Sequence, residues 1–120
     1  MSLLALAAAG ISGGATSADI TPDAVNWANI SGSGSGSNAN QTITGITAPI
    51  TISLSNSGGG FPSYDLNGAG FSVYSGPFVV TNGQTLRFSV GGSPASGTIT
   101  VVNDTDSSTT LDTFTYSLTL

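Results

Sequence analysis

Apolar and polar positions alternate with period two over much of the chain. Leu86, Phe88 and Val90 fall on one side of a run whose other side is Thr85, Arg87 and Ser89. Near the C-terminus Phe114, Tyr116, Leu118 and Leu120 alternate with Thr113, Thr115, Ser117 and Thr119. Ile50, Ile52 and Leu54 alternate with Thr51 and Ser53. Successive side chains of a strand point to opposite faces, so such runs predict strands with one face buried and one face wet. Thr98–Val102 is β-branched almost throughout, which also favours a strand.

The remaining elements follow from turn chemistry. Ala24–Ile30, carrying Trp27, predicts a first strand, and Gln41–Ile46 a second that breaks at Gly45. Tyr64–Leu66 and Phe71–Tyr74 flank Asn67-Gly68, a strong hairpin signal. Phe78–Thr81 predicts a short strand that Asn82-Gly83 turns into Thr85–Val90 as a second hairpin. Thr98–Asn103 and Leu111–Leu120 predict a last hairpin around Asp104–Thr109. Ser31–Ser37, an alternation of serine and glycine, reads as a flexible connection. It neither links a strand to a helix nor precedes a lysine, so it is not a phosphate-cradling loop. Strands at this spacing predict an all-β sandwich or barrel.

The N-terminal run stands apart. Ser2–Ala9 is the only helix-favouring stretch, leucine and alanine nearly throughout, and is too short to span a bilayer. A signal-peptide core followed by Thr16-Ser17-Ala18 is disfavoured, because no basic residue precedes it. It reads either as a flexible arm or as a docking arm that leaves the domain and packs on a neighbouring subunit. The docking reading names Leu3, Leu4, Leu6 and Ile11 as contact residues, since such a run left exposed invites aggregation. The expected division is an arm and linker over 1–18 and a β-domain over 19–120.

Composition narrows the chemistry. The chain has no cysteine, histidine, lysine or glutamate, and its net charge is −5. Disulfides, thiolate or histidine metal sites, Ser-His pairs and Schiff-base lysines are therefore excluded. A single arginine cannot neutralise a phosphate backbone or an anionic membrane surface, so neither nucleic acid nor membrane is an expected partner. No enzyme and no cofactor are expected.

Ile20-Thr21-Pro22-Asp23-Ala24, Gln41-Thr42-Ile43-Thr44-Gly45-Ile46, Ile50-Thr51-Ile52-Ser53, Tyr64-Asp65-Leu66-Asn67-Gly68, Val80-Thr81-Asn82-Gly83-Gln84-Thr85-Leu86 and Asp112-Thr113-Phe114 occur in that order. The series resembles a repeat of bacterial surface proteins and of tailed-phage virion proteins, and covers about Ile20–Leu120. The resemblance implies an immunoglobulin-like antiparallel β-sandwich of about seven to eight strands, with an extended or short-helical N-terminal arm. It implies a non-enzymatic role in display and assembly, with no catalytic or ligand residues to carry over. A single copy with an apolar arm resembles a small virion component: a capsid decoration, head-fibre or tail protein. Its partners would be the major capsid or tail proteins of the same particle, with homo-oligomerisation expected. The alternative is a secreted or cell-surface adhesion module.

Other candidates have plainer readings beside them. Asp104, Asp106 and Ser108 place oxygens at alternate positions, as a calcium loop would, yet a hairpin turn needs such residues anyway. Arg87 predicts a surface pair with an aspartate, or a salt bridge between subunits. Tyr64, Phe71, Tyr74 and Phe78 predict cross-strand packing, or a platform for carbohydrate. Trp27 reads as the large ring of the core. Thr113, Thr115 and Thr119 suggest an ice-binding ladder less well than the wet side of a strand.

Overall fold

The computed structural model describes residues 18–120. Its ten strands are β1 (Ile30–Ser33), β2 (Ser35–Ser37), β3 (Gln41–Thr42), β4 (Ile50–Asn56), β5 (Phe61–Leu66), β6 (Phe71–Val73), β7 (Phe78–Val80), β8 (Thr85–Gly91), β9 (Ala95–Asn103) and β10 (Thr109–Thr119). No helix occurs among the described residues. The expected arm, with Leu3, Leu4, Leu6 and Ile11, lies outside them.

The strands form two five-stranded sheets. One has the order β1-β10-β9-β4-β7; the other has the order β2-β8-β5-β6, with β3 also paired to β8. The alternating runs explain why the sheets face each other. Ile50, Ile52, Ile99, Val101, Phe114, Tyr116 and Leu118 of the first sheet and Leu86, Phe88 and Val90 of the second are all buried in one core. The Phe88 and Phe114 rings meet between the layers with centroids 5.5 Å apart. Trp27 closes the core edge-on against Phe88 at 5.0 Å, and its indole N–H donates to the Leu86 carbonyl at 2.8 Å. A large ring thus gains burial without leaving a polar atom unpaired.

Several expectations need correction. The antiparallel sandwich of about seven to eight strands is a ten-stranded one, and β1 runs parallel to β10, pairing Ile30 with Tyr116 and Thr119 with Ser33. Ser31–Ser37 is not a loose connection. It supplies β1 to one sheet and β2 to the other, bending at Gly34. Glycine is required here by close approach: a Cβ on Gly32 would lie 2.0 Å from the Ser35 carbonyl oxygen, and one on Gly36 would lie 2.6 Å from that of Ser31. Of Ala24–Ile30 only Ile30 is in a strand, and of Gln41–Ile46 only Gln41 and Thr42 are, although Trp27, Ile43 and Ile46 are buried. Asn82-Gly83 makes no hairpin, because β7 pairs with β4 and β8 pairs in the other sheet; the turn is a crossover between layers. Leu120, expected on the buried face, is exposed past the end of β10.

Two hairpins form as expected. β5 and β6 join through the turn at Asn67-Gly68, and β9 and β10 join through 104–108 with a bulge at Val101/Val102.

Candidate functional site

The outer face of the second sheet gathers three of the exposed apolar side chains, Phe61, Phe71 and Val73; Val79 is exposed on the first sheet. Residues opposed in an antiparallel pair share a face. Asp65 stands opposite both Phe71 and Arg87, and Ser63 stands opposite both Val73 and Ser89. Phe61, opposite Gly91, continues the same face. Phe61 and Val73 are each about 70 % exposed, and Phe71 is partly so. The inward residues of β8, Leu86, Phe88 and Val90, fill the core on the other side.

One ion pair organises this face. Arg87 Nε donates to Asp65 Oδ2 at 3.0 Å; the carboxylate is buried, whereas the arginine side chain is 37 % exposed. The guanidinium carbon lies 4.7 Å from the centroid of the Phe71 ring, within range of a cation–π contact. Asp65 Oδ1 accepts the Gly70 amide at 3.0 Å, which fastens the hairpin loop to the same carboxylate. The expected pairing of Arg87 with an aspartate therefore takes place within the chain. Sequence could not say which aspartate, because that depends on the register of β5 against β8.

The other aromatics of the middle stretch turn inward. Tyr64 stacks on Phe78 with centroids 3.9 Å apart and planes 3° from parallel, and Tyr74 meets Phe78 edge-on at 6.3 Å. The Tyr74 hydroxyl accepts the Leu54 amide at 3.1 Å. Of the four expected aromatics, Phe71 alone lies on the outer face; Phe61 joins it there. Phe61 follows Gly58-Gly59-Gly60 with no clear alternation before it, so no periodic signal marks its exposure.

The turn at 104–108, the candidate calcium loop, is committed to backbone. Ser107 and Ser108 both have positive φ, and the Thr109 amide donates to the Asp106 carbonyl at 3.0 Å, as in a tight two-residue turn. The Asp104 carboxylate accepts Ser53 Oγ at 3.0 Å and that of Asp106 accepts Thr21 Oγ1 at 2.7 Å. Asp19 accepts the Thr21 amide, Asp23 the Thr44 hydroxyl, and Asp112 the Trp27 amide at 2.6 Å. Every aspartate of the chain thus receives a hydrogen bond from the chain itself. Among the described residues no three acidic side chains gather as a metal-binding group.

The outer face of the first sheet is a field of hydroxyls. Thr98 stands opposite Thr115, Thr100 opposite Thr113, and Ser96 opposite Ser117. Beside them a shallow, open depression of about 270 Å³ is lined by Pro94, Ala95, Ser96, Ser117 and Leu118, with no charged group.

Comparison with protein-family models, with curated proteins and with solved structures returned no match.

Proposed function

We propose that this chain is a non-enzymatic structural protein of a bacteriophage particle, a capsid decoration, head-fibre or tail component. Its N-terminal arm anchors it to the capsid or tail proteins, and an immunoglobulin-like sandwich is displayed outward. The observation that supports this most is the use of the carboxylates. Each of the six aspartates accepts a hydrogen bond from within the chain, at turns, between strands and in one ion pair, which fits a structural use of the acidic groups. Burying the leucine and isoleucine side chains of the arm would contribute about 1.5–3 kcal/mol each before ordering costs. Many copies on a symmetric lattice make a modest affinity per copy sufficient.

Deleting residues 2–18 tests the reading. The truncated chain should keep the circular dichroism of a β-domain and fail to join purified particles. Full occupancy by the truncated chain would sink the anchoring role.

A second reading, a secreted or cell-surface adhesion module, is favoured by one feature: the exposed Phe61, Phe71 and Val73 around Arg87. An apolar outer face with a central cation suits a glycan or protein receptor better than bulk water. N-terminal sequencing of native material separates the two. A retained arm fits the particle, and a cleaved arm fits the surface module.

A further inference from the structure

The chain contains two Asn-Gly dipeptides, Asn67-Gly68 and Asn82-Gly83, and both lie in exposed turns. Asparagine followed by glycine is prone to imide formation, because glycine has no Cβ to obstruct its own nitrogen. The fold treats the two sites differently. At the second, the Gly83 amide donates to the Ile43 carbonyl at 2.7 Å, and the Asn82 side-chain oxygen accepts the Ile46 amide at 3.2 Å. Nucleophile and electrophile are both held. At the first, the Gly68 amide has no main-chain acceptor among the described residues, and a Cβ built on Gly68 would meet nothing within 4 Å. The turn itself is closed by Ala69 donating to the Leu66 carbonyl, with φ of 57° at Asn67 and 77° at Gly68.

We propose that Asn67 is a site of spontaneous, fold-selected deamidation, and that Asn82 is protected. The Gly68 nitrogen gives its proton to solvent hydroxide and attacks Cγ of Asn67. A ring C–N bond forms, and the side-chain nitrogen leaves as ammonia after taking a proton from water. Water then adds to one of the two imide carbonyls and opens the ring to aspartate or isoaspartate. The sum is asparagine plus water giving an acid plus ammonia, with no oxidant or cofactor. The product carries one more negative charge beside the loop that Asp65 fastens. Isoaspartate also lengthens the main chain inside the connection 67–70 that joins β5 to β6, next to the Asp65–Phe71 pair that closes their ladder. The face bearing Phe71 and Val73 is therefore the part of the molecule that changes with age. This inference is independent of the function proposed above.

The test is incubation of the full-length folded protein in mildly alkaline buffer, with peptide mapping by mass spectrometry over time. A parallel sample is kept unfolded in guanidinium chloride. With two hydrogen bonds guarding Asn82, the acid should accumulate at Asn67 about tenfold faster or more in the folded sample. The two rates should converge in the unfolded one. Equal rates in the folded protein would overturn the proposal. So would an advantage of Asn67 that persists unchanged in guanidinium, or a folded Asn67 that stays intact while both sites react in the unfolded chain.

Discussion

Arg87 and Asp65 form a pair of unequal partners: the carboxylate is buried beneath the sheet's outer surface, and the guanidinium is its cover, 3.0 Å away and laid over Phe71. Removing the cover leaves a buried charge with one amide for a partner. Arg87→Ala should cost about 1–3 kcal/mol, the arginine's exposure keeping the effect below that of a fully buried pair. Arg87→Lys keeps the charge and loses the planar contact with Phe71, and should fall between. Urea midpoints of the three proteins check the order.

Asn38 should matter more than a polar residue in a short connection usually does. It lies between β2 and β3, where its side-chain oxygen accepts the Phe88 amide at 2.9 Å and its main-chain amide donates to the Phe88 carbonyl at 3.1 Å. Its side-chain nitrogen donates to the Ala28 carbonyl at 3.1 Å. A side chain completes a rung that main chain would otherwise make. Asn38→Ala should destabilise by about 2 kcal/mol, because the buried Phe88 amide loses its acceptor. A midpoint within error of the parent would refute this.

Tyr116 is buried, and its hydroxyl is shared. It donates to Asn56 Oδ1 at 2.8 Å and accepts the Gly60 amide at 3.1 Å. Tyr116→Phe keeps the ring in the core and should cost about 1–2 kcal/mol. Amide hydrogen exchange at Gly60 should rise with it; unchanged protection there would contradict the assigned bond.

Gly36→Ala places a Cβ 2.6 Å from the Ser31 carbonyl oxygen and 2.7 Å from Ile30 Cγ2, so β1 and β2 must separate. A loss of about 1–3 kcal/mol is expected. Gly59→Ala meets nothing within 4 Å and should stay within about 0.5 kcal/mol of the parent. Thermal unfolding of the two variants side by side distinguishes close packing from a general intolerance of alanine.

Phe61→Ser and Val73→Ser remove exposed side chains from the outer face of the second sheet. Each should leave stability within about 0.5 kcal/mol of the parent. Under the adhesion reading, the pair together should abolish binding to the receptor-bearing surface; unaltered binding would remove the support that this face gives it.

The core was legible because it is written in period two. Leu86, Phe88, Val90, Phe114, Tyr116 and Leu118 are buried as their alternation required, and Trp27 is the large ring it was expected to be. The serine–glycine run was illegible for the opposite reason. Its side chains are too small to carry an apolar pattern, and its strands exist because β8 and β10 offer them ladders. Asn82-Gly83 misled because a tight turn has the same chemistry whether the next strand returns beside the last or crosses to the other layer. The candidate face was half legible. Arg87 and Phe71 stood out as residues, but the register that sets them on Asp65 is a long-range fact.

The parallel ladder of β1 with β10 has a mechanical consequence. Ile30, the first residue of β1, pairs with Tyr116, while the far end of the ladder pairs Ser33 with Thr119. Tension applied between the chain's two ends therefore pulls these neighbouring strands in opposite directions along their length. The rungs are loaded together, in shear, instead of being peeled apart one after another. A body tethered on one side and tugged on the other meets that force across its strongest dimension, and single-molecule stretching would register it as one high, narrow rupture.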